Sequence, residues 1–245
     1  MDPVAFKIFG IEIMWYGVLI SLGVLLGVFF ALKECKRIGY NADNVLDFLL
    51  IAIPSAIIGA RAYYVIFSWD YYSAHPSEII NIRNGGLAIH GALIAGVIVG
   101  ILFCKKRKLN VLQLLDILIP SVALGQAIGR WGNYVNQEAY GGPTDLPWGI
   151  VVNGQKVHPT FLYESIINFV VFLFLIWFRK NKKTSEGQVL SLYLILYSAG
   201  RFFVEGLRTD SLMFLNLRVA QLISIASILA GVGLWVYVNK KKNVN

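Results

Sequence analysis

The sequence predicts an all-α integral membrane protein with seven transmembrane helices. Three observations lead there. The 245 residues are 57% hydrophobic and only 15% charged, with a mean hydropathy of +0.63, far from the composition of water-soluble domains. Seven segments approach the ~20 apolar residues that a helix needs to cross a hydrocarbon core of about 30 Å. Basic residues gather at alternate ends of those segments, the asymmetry that sets orientation during insertion.

In chain order, the first span covers approximately 11–34 and ends on Lys33, Lys36 and Arg37. The second covers 45–68 and the third 87–104, closed by the KKRK run at 105–108. The fourth is 112–129, and the fifth is 159–178, closed by Arg179, Lys180, Lys182 and Lys183. The sixth is 188–207 and the seventh 215–238, followed by KKK at 240–242. Opposite loops hold mainly Lys7, Arg83 and Lys156. The N-terminus is therefore expected outside and the C-terminus in the cytoplasm, in a single polytopic membrane domain over 1–245.

Two outer loops are long, Trp69 to Gly86 and Arg130 to His158. The second contains PTDLPWGIVVNGQKVHP, whose Pro, Gly and Asn-Gly signals predict a turn or hairpin on the outer surface between helices four and five. The opening MDPVAFKIFGIEIMWYG has no basic region ahead of a short apolar core and no small-residue cleavage site, so no cleaved leader is expected.

A formal charge of +8 is accounted for by a basic inner rim facing an anionic leaflet, and a nucleic-acid partner is not implied. Cys35 and Cys104 fall at cytoplasmic helix ends, where thiols stay reduced; neither suits a disulfide or a nucleophile. Without CxxC, HExxH or a similar cluster, no metal and no cofactor is expected.

The functional signal is the depth at which polar residues occur. GRWGNYVNQEAYGG, at 129–142, places Arg130, Asn133, Asn136, Glu138 and Gly141 beside the membrane, where polar backbone survives only if buried in protein or lining a wet cavity. Tyr16, Arg61 and His90 lie toward the outer ends of spans one, two and three. His158 and Glu164 open span five, and Arg218 and Gln221 open span seven. In span six, Tyr197, Arg201, Glu205 and Arg208 recur at helical spacing along one stripe. An ionised residue at the bilayer centre costs about 2.5–3.5 kcal/mol on insertion scales. Snorkelling to the interface is an alternative for Arg61 and Arg218 taken singly. An intrahelical pair of Arg201 with Glu205 is another alternative, which would leave Arg208 facing a cavity. The set together predicts an outward-facing polar cavity for an anionic ligand.

The motif GRWGNYVNQEAYG resembles the signature of the prolipoprotein diacylglyceryl transferase family. WYG at 15–17, GGLAIHG around His90, HPTFLYE at 158–164 and YSAGRFFVEGLR at 197–208 resemble the same family in the same order. Gln137 departs from it, many members having glycine there, and Tyr134 stands where phenylalanine is common. The resemblance implies a multi-pass enzyme of the bacterial plasma membrane that moves the diacylglyceryl group of phosphatidylglycerol onto the lipobox cysteine of a prolipoprotein signal peptide. A thioether forms and glycerol 1-phosphate leaves. It also implies functional roles for Tyr16, His90, Arg130, Asn133, Glu138, Gly141, His158, Tyr197, Arg201, Glu205 and Arg208.

That chemistry needs a thiolate and a stabilised phosphate leaving group. Histidine titrates near neutrality and suits the base, which selects His90, assisted by Tyr16 or Glu205. Arginine donates in a planar fork and keeps its charge in a low dielectric, which selects Arg130 and Arg201 for the phosphate. Asn133 and Asn136 are assigned to head-group orientation, and Glu138 to holding an arginine. Gly141, Tyr197 and Arg208 complete the expected lipid-binding set, with His158, Glu164 and Arg61 as secondary candidates. The competing class is a transporter or lipid-binding protein with an outward anion cavity and no chemistry; it predicts internal repeats and broken helices, and neither is evident.

Overall fold

A computed structural model describes residues 2–82 and 85–242; Arg83, counted above in an outer loop, lies outside the described residues. Among the described residues, six helices are long and apolar enough to cross a membrane: α1 (Trp15–Ile38), α2 (Ala42–Phe67), α4 (Ile89–Arg107), α5 (Val111–Val135), α6 (Thr160–Asn181) and α8 (Val219–Lys242). The architecture is that of an all-helical integral membrane protein. Helix α7 (Gln188–Glu205) occupies the position of the sixth expected span. It is 18 residues long, and the inward-facing Arg201 and Glu205 make it less apolar than the rest. A short α3 (Trp69–Ala74) and a 3-10 turn (Pro76–Glu78) structure the loop after α2.

Four boundaries differ from expectation for local reasons. Residues 11–14 are a strand rather than the start of a span: β2 (Ile11–Met14) pairs with β1 (Val4–Ile8), across a turn in which Phe9 and Gly10 have φ of 49° and 78°. Lys7 and Glu12 pair across it at 2.7 Å. Helix α5 continues past 129 to Val135, so the first half of the glycine-rich motif is helical and not loop. A hairpin of β5 (Met213–Phe214) and β6 (Leu217–Arg218) delays the last helix to Val219, and α7 stops at Glu205, which leaves Arg208 beyond its end. The expected hairpin between α5 and α6 is present as β3 (Ile150–Val152) and β4 (Gln155–Val157).

The chain forms two compact units. One holds the residues up to Glu34 and from Leu115 onward, and the other holds Cys35–Leu114. In the first, α1 and α5 approach through small residues. A side chain on Gly23 would lie 3.3 Å from Gly125 Cα, and Ser121 Oγ donates to the Gly27 carbonyl at 2.8 Å, contacts that compensate for the weak hydrophobic drive between helices in lipid. Leu175, Val189, Ala123 and Phe172 form the buried core beside them.

One end of this unit is tied by buried charge. Asp116 is fully buried and accepts the N–H groups of Gly187 at 2.8 Å and Leu190 at 3.0 Å. A carboxylate on α5 thus satisfies the orphan donors at the start of α7. Lys183 pairs with it at 3.1 Å. Arg179 of α6 pairs with Glu34 of α1 at 3.2 Å, and Gln188 donates to Asn239 of α8 at 2.7 Å.

In the second unit α2 and α4 pack glycine against glycine: a Cβ on Gly59 would sit 2.7 Å from the Gly91 carbonyl oxygen. Asp47 and Arg107 pair at 2.7 Å. Both cysteines, Cys35 and Cys104, are buried here.

Removing the Asp116 carboxylate leaves the Gly187 and Leu190 N–H groups without their acceptor and Lys183 with Glu186 alone. Asp116→Ala is expected to destabilise the protein by about 3–5 kcal/mol, read as a lowered unfolding midpoint in detergent. Asp116→Asn, which keeps one acceptor oxygen, loses less. An unchanged midpoint for the alanine variant would remove the cap from this account.

Candidate active site

The site is built around Glu164. His158-Pro159 leads into α6, and the first helical residue, Thr160, donates its hydroxyl to the Ala139 carbonyl at 2.5 Å, which ties the helix start to the glycine-rich motif. Glu164 follows one turn later and is buried. Its two carboxylate oxygens receive two arginines from two other helices: Arg130 of α5 on Oε2 and Arg201 of α7 on Oε1. Arg201 also pairs with Glu205 at 2.6 Å. The arginines are 23% and 19% exposed against 5% for Glu164, so both keep an accessible edge while their charge is matched inside.

The motif extends this network. Arg130 Nη1 donates to Asn133 Oδ1 at 3.4 Å. Asn133 Nδ2 donates to Glu138 Oε1 at 2.9 Å, and Asn136 Nδ2 to the same oxygen at 3.4 Å. Glu138 therefore holds two amides, and the arginines are held by Glu164 and Glu205. The reason is backbone geometry. The Glu138 N–H returns to the Asn133 carbonyl at 3.0 Å, folding the chain back over the end of α5. Gln137 and Ala139 have φ of 52° and 57°, the left-handed region that costs a non-glycine residue about 1–2 kcal/mol. The glycine common at position 137 in the resembled motif has this physical basis.

Gly141 joins three segments. Its N–H donates to the His158 carbonyl at 2.9 Å, Gly142 donates to the Leu207 carbonyl at 2.9 Å, and Gly141 bridges Arg208 in antiparallel fashion. A Cβ there would lie 2.7 Å from His158 Cβ and 2.9 Å from the Leu207 oxygen. Arg208, beyond the end of α7, is not left facing a cavity: it makes a bidentate pair with Asp210 at 2.9 and 2.7 Å. Its hydrogen bond holds the Asp210 carboxyl below the usual carboxylate range. A depressed carboxylate stabilises the fold above its unfolded pKa, and the gain is lost as pH falls through the folded one; this pair is therefore intact at neutral pH.

The remaining residues take distinct places. Tyr197 lines a small crevice with Glu164 and Arg201, its ring stacked on Tyr193 at 5.3 Å. Tyr16 packs against Gly132, where any Cβ would collide with its ring. Nδ1 of His158 lies 3.3 Å from the Tyr163 hydroxyl, which accepts from Trp148 Nε1 at 2.9 Å. Arg218 donates to the Glu205 carbonyl and Gln221 to that of Phe202 at 3.2 Å, closing the C-terminal end of α7.

His90 and Arg61 belong to the second unit. His90 sits in the first turn of α4, its ring 5.9 Å from that of Tyr63. Arg61 is buried and donates to four backbone carbonyls: Glu78 at 2.6 Å, Ile79 at 2.8 Å, and Gly85 and Gly86 at 3.0 Å. It also lies over the Tyr72 ring at 5.0 Å. Its donors hold the segment leading into α4, and neither snorkelling nor a ligand is needed to account for it.

A cavity of about 280 Å³ adjoins the network, bounded by Asn133, Glu138, Tyr134 and Tyr140 on one side and β3 on the other. Among the described residues no group of three or more His, Cys, Asp or Glu side chains is placed to hold a metal. Sequence reasoning gave Glu164 a secondary place. Its signal was that it is the lone charged residue within the apolar run 160–178, so it must have cationic partners. Asp210 carried no such signal, since a loop carboxylate is ordinary.

Residues 3–237 match the family described as prolipoprotein diacylglyceryl transferase. The phosphatidylglycerol–prolipoprotein diacylglyceryl transferase of Finegoldia magna is 59% identical over 241 residues, covering 98% of this chain and 97% of that protein. The protein of the same name from Clostridioides difficile is 55% identical over 245 residues, 100% and 98% of the two chains. That from Clostridium novyi is 49% identical over 251 residues, 98% and 97%. With this coverage, and with the quoted motifs in order along it, the chain belongs to the prolipoprotein diacylglyceryl transferase family.

Proposed function

We propose that the protein transfers the diacylglyceryl group of phosphatidylglycerol to the lipobox cysteine of a prolipoprotein, releasing glycerol 1-phosphate, as the first step of lipoprotein maturation. The observation that carries this reading is the convergence of Arg130 and Arg201 on one buried carboxylate, next to the family's signature motif. The chain is read as one membrane domain of seven spans, α7 included, N-terminus outside and C-terminus cytoplasmic, in the bacterial plasma membrane. Its partners are the bilayer, phosphatidylglycerol and the prolipoprotein signal peptide.

In this reaction the cysteine sulfur attacks the glyceryl carbon that bears the phosphate ester. A carbon–sulfur bond forms, the carbon–oxygen bond breaks, and the electron pair leaves on the phosphate of glycerol 1-phosphate. Negative charge gathers on that phosphate as the bond breaks. Two guanidinium groups already fixed by Glu164 and Glu205 stabilise it without reorganising, so their effect is greater in the transition state than on bound lipid. Asn133, oriented between Arg130 and Glu138, holds the head group, with Asn136 supporting Glu138. Tyr197 and Tyr16 flank the lipid, and Arg208 and Gly141 keep the wall of the site in register. His90 takes the thiol proton, an assignment that rests on its chemistry and on the family motif around it. Phosphatidylglycerol carries its own leaving group, so the reading includes no cofactor.

Purified protein supplied with phosphatidylglycerol and a lipobox peptide is expected to release glycerol phosphate with time; no release would sink the transferase reading. Arg130→Ala and Arg201→Ala should each lower turnover by about 10²–10³-fold in protein that still inserts and folds, whereas near-normal activity in either refutes its phosphate role. His90→Asn should slow turnover by about 10²–10⁴-fold at neutral pH, and wild-type rates there would dismiss it as the base.

A further inference from the structure

The β3–β4 hairpin presents a strand edge that the mechanism does not use. Its turn, Asn153-Gly154, has φ of 48° and 79°, the two-residue type whose twist suits a hairpin. In such a hairpin the pair flanking the turn, Val152 and Gln155, exchanges hydrogen bonds, and the next pair, Val151 and Lys156, points its backbone groups outward. On the β4 side that expectation is met: the Lys156 carbonyl accepts from the Thr144 N–H at 3.0 Å, which closes the edge. On the β3 side the outward N–H and C=O of Val151 have no hydrogen-bond partner among the described residues.

The 280 Å³ cavity lies along this open edge. Ile150, Val151 and Val152 line it and no residue of β4 does, while Tyr134, Tyr140 and Phe161 contribute rings. Asn133, which also lines it, accepts from Arg130. The space therefore joins an unpaired strand edge, an aromatic wall and the phosphate-binding network.

We propose that β3 docks an extended segment of the polypeptide substrate, the stretch flanking its acceptor cysteine, as an added strand. A donor and an acceptor on one residue of an open edge are matched together by another extended backbone, which supplies both at strand spacing. A lipid acyl chain supplies neither. The aromatic wall accepts an apolar side chain of the docked segment, and Asn133 places that segment beside the arginine that holds the lipid phosphate. The inference rests on the proposed function, in which the acceptor is a cysteine within a polypeptide.

The test uses fluorescently labelled lipobox peptides, each with one backbone amide N-methylated, at successive positions, and measures their binding to the wild-type protein in detergent free of phosphatidylglycerol. Methylation at the residue that donates to the Val151 carbonyl should weaken binding about tenfold, and methylation one residue to either side should change it less than twofold. Equal sensitivity at neighbouring positions, or none anywhere, overturns the proposal. On the protein side, Val151→Pro removes the edge N–H and should lower peptide affinity several-fold with affinity for phosphatidylglycerol retained; if that variant misfolds, the peptide series on wild type still decides. Because binding is read without turnover, a protein that shows the positional pattern yet releases no glycerol phosphate would sustain this inference and refute the transferase reading. Turnover without the pattern would do the reverse.

Discussion

The structure around the site depends on one constraint: a charge taken out of water has to be matched where it lies. Two arginines placed in the membrane-level part of a helical protein would each be costly alone. Glu164 accepts one on each carboxylate oxygen, and Glu205 adds the second counter-charge to Arg201. Helices α5, α6 and α7 are thereby linked through one side chain. A guanidinium held by a carboxylate on one edge has donors left on the other, so the buried charge is matched while part of each arginine stays accessible, the condition that the proposed phosphate role requires.

A second buried network answers the same constraint at the other end of this unit. There Asp116 caps α7 and pairs with Lys183, and Arg179 pairs with Glu34. The two networks differ in how much of the charge can be reached. Arg179 and Glu34 are each 3% exposed, whereas Arg130 and Arg201 keep about a fifth of their surface open. Full enclosure makes Arg179 and Glu34 a tie between helices, whereas Arg130 and Arg201 retain the access that the proposed function requires. Gly141 and Arg208 show how the connecting loops are held to it: a backbone bridge aligns the motif with the chain leaving α7.

What could be read from the sequence was whatever depends on local pattern. Apolar runs of sufficient length gave the membrane helices, and Asn153-Gly154 gave the β3–β4 hairpin. The helical spacing of Tyr197, Arg201 and Glu205 put them on one stripe, and the Arg201–Glu205 pair, held there only as an alternative, is present along α7. Partnerships across the chain have no such periodicity. Glu138 was expected on an arginine, but the left-handed turn at Gln137 and Ala139 folds it onto Asn133. Arg61 was a secondary candidate by its depth, with snorkelling as the alternative, and its donors go to carbonyls that become neighbours only once the loop before α4 folds. Helix α5 runs past its expected end at 129 to Val135, and within that extension Gly132 leaves the space that the Tyr16 ring fills.

The central claim is that Glu164 and the arginines act as one coupled unit. A double-mutant cycle on unfolding in a lipid-like detergent measures this directly, using Glu164→Gln, Arg201→Gln and the double variant. The account predicts a coupling of about 1–3 kcal/mol, with the double variant less destabilised than the sum of the singles. Additivity to within about 0.5 kcal/mol would contradict it.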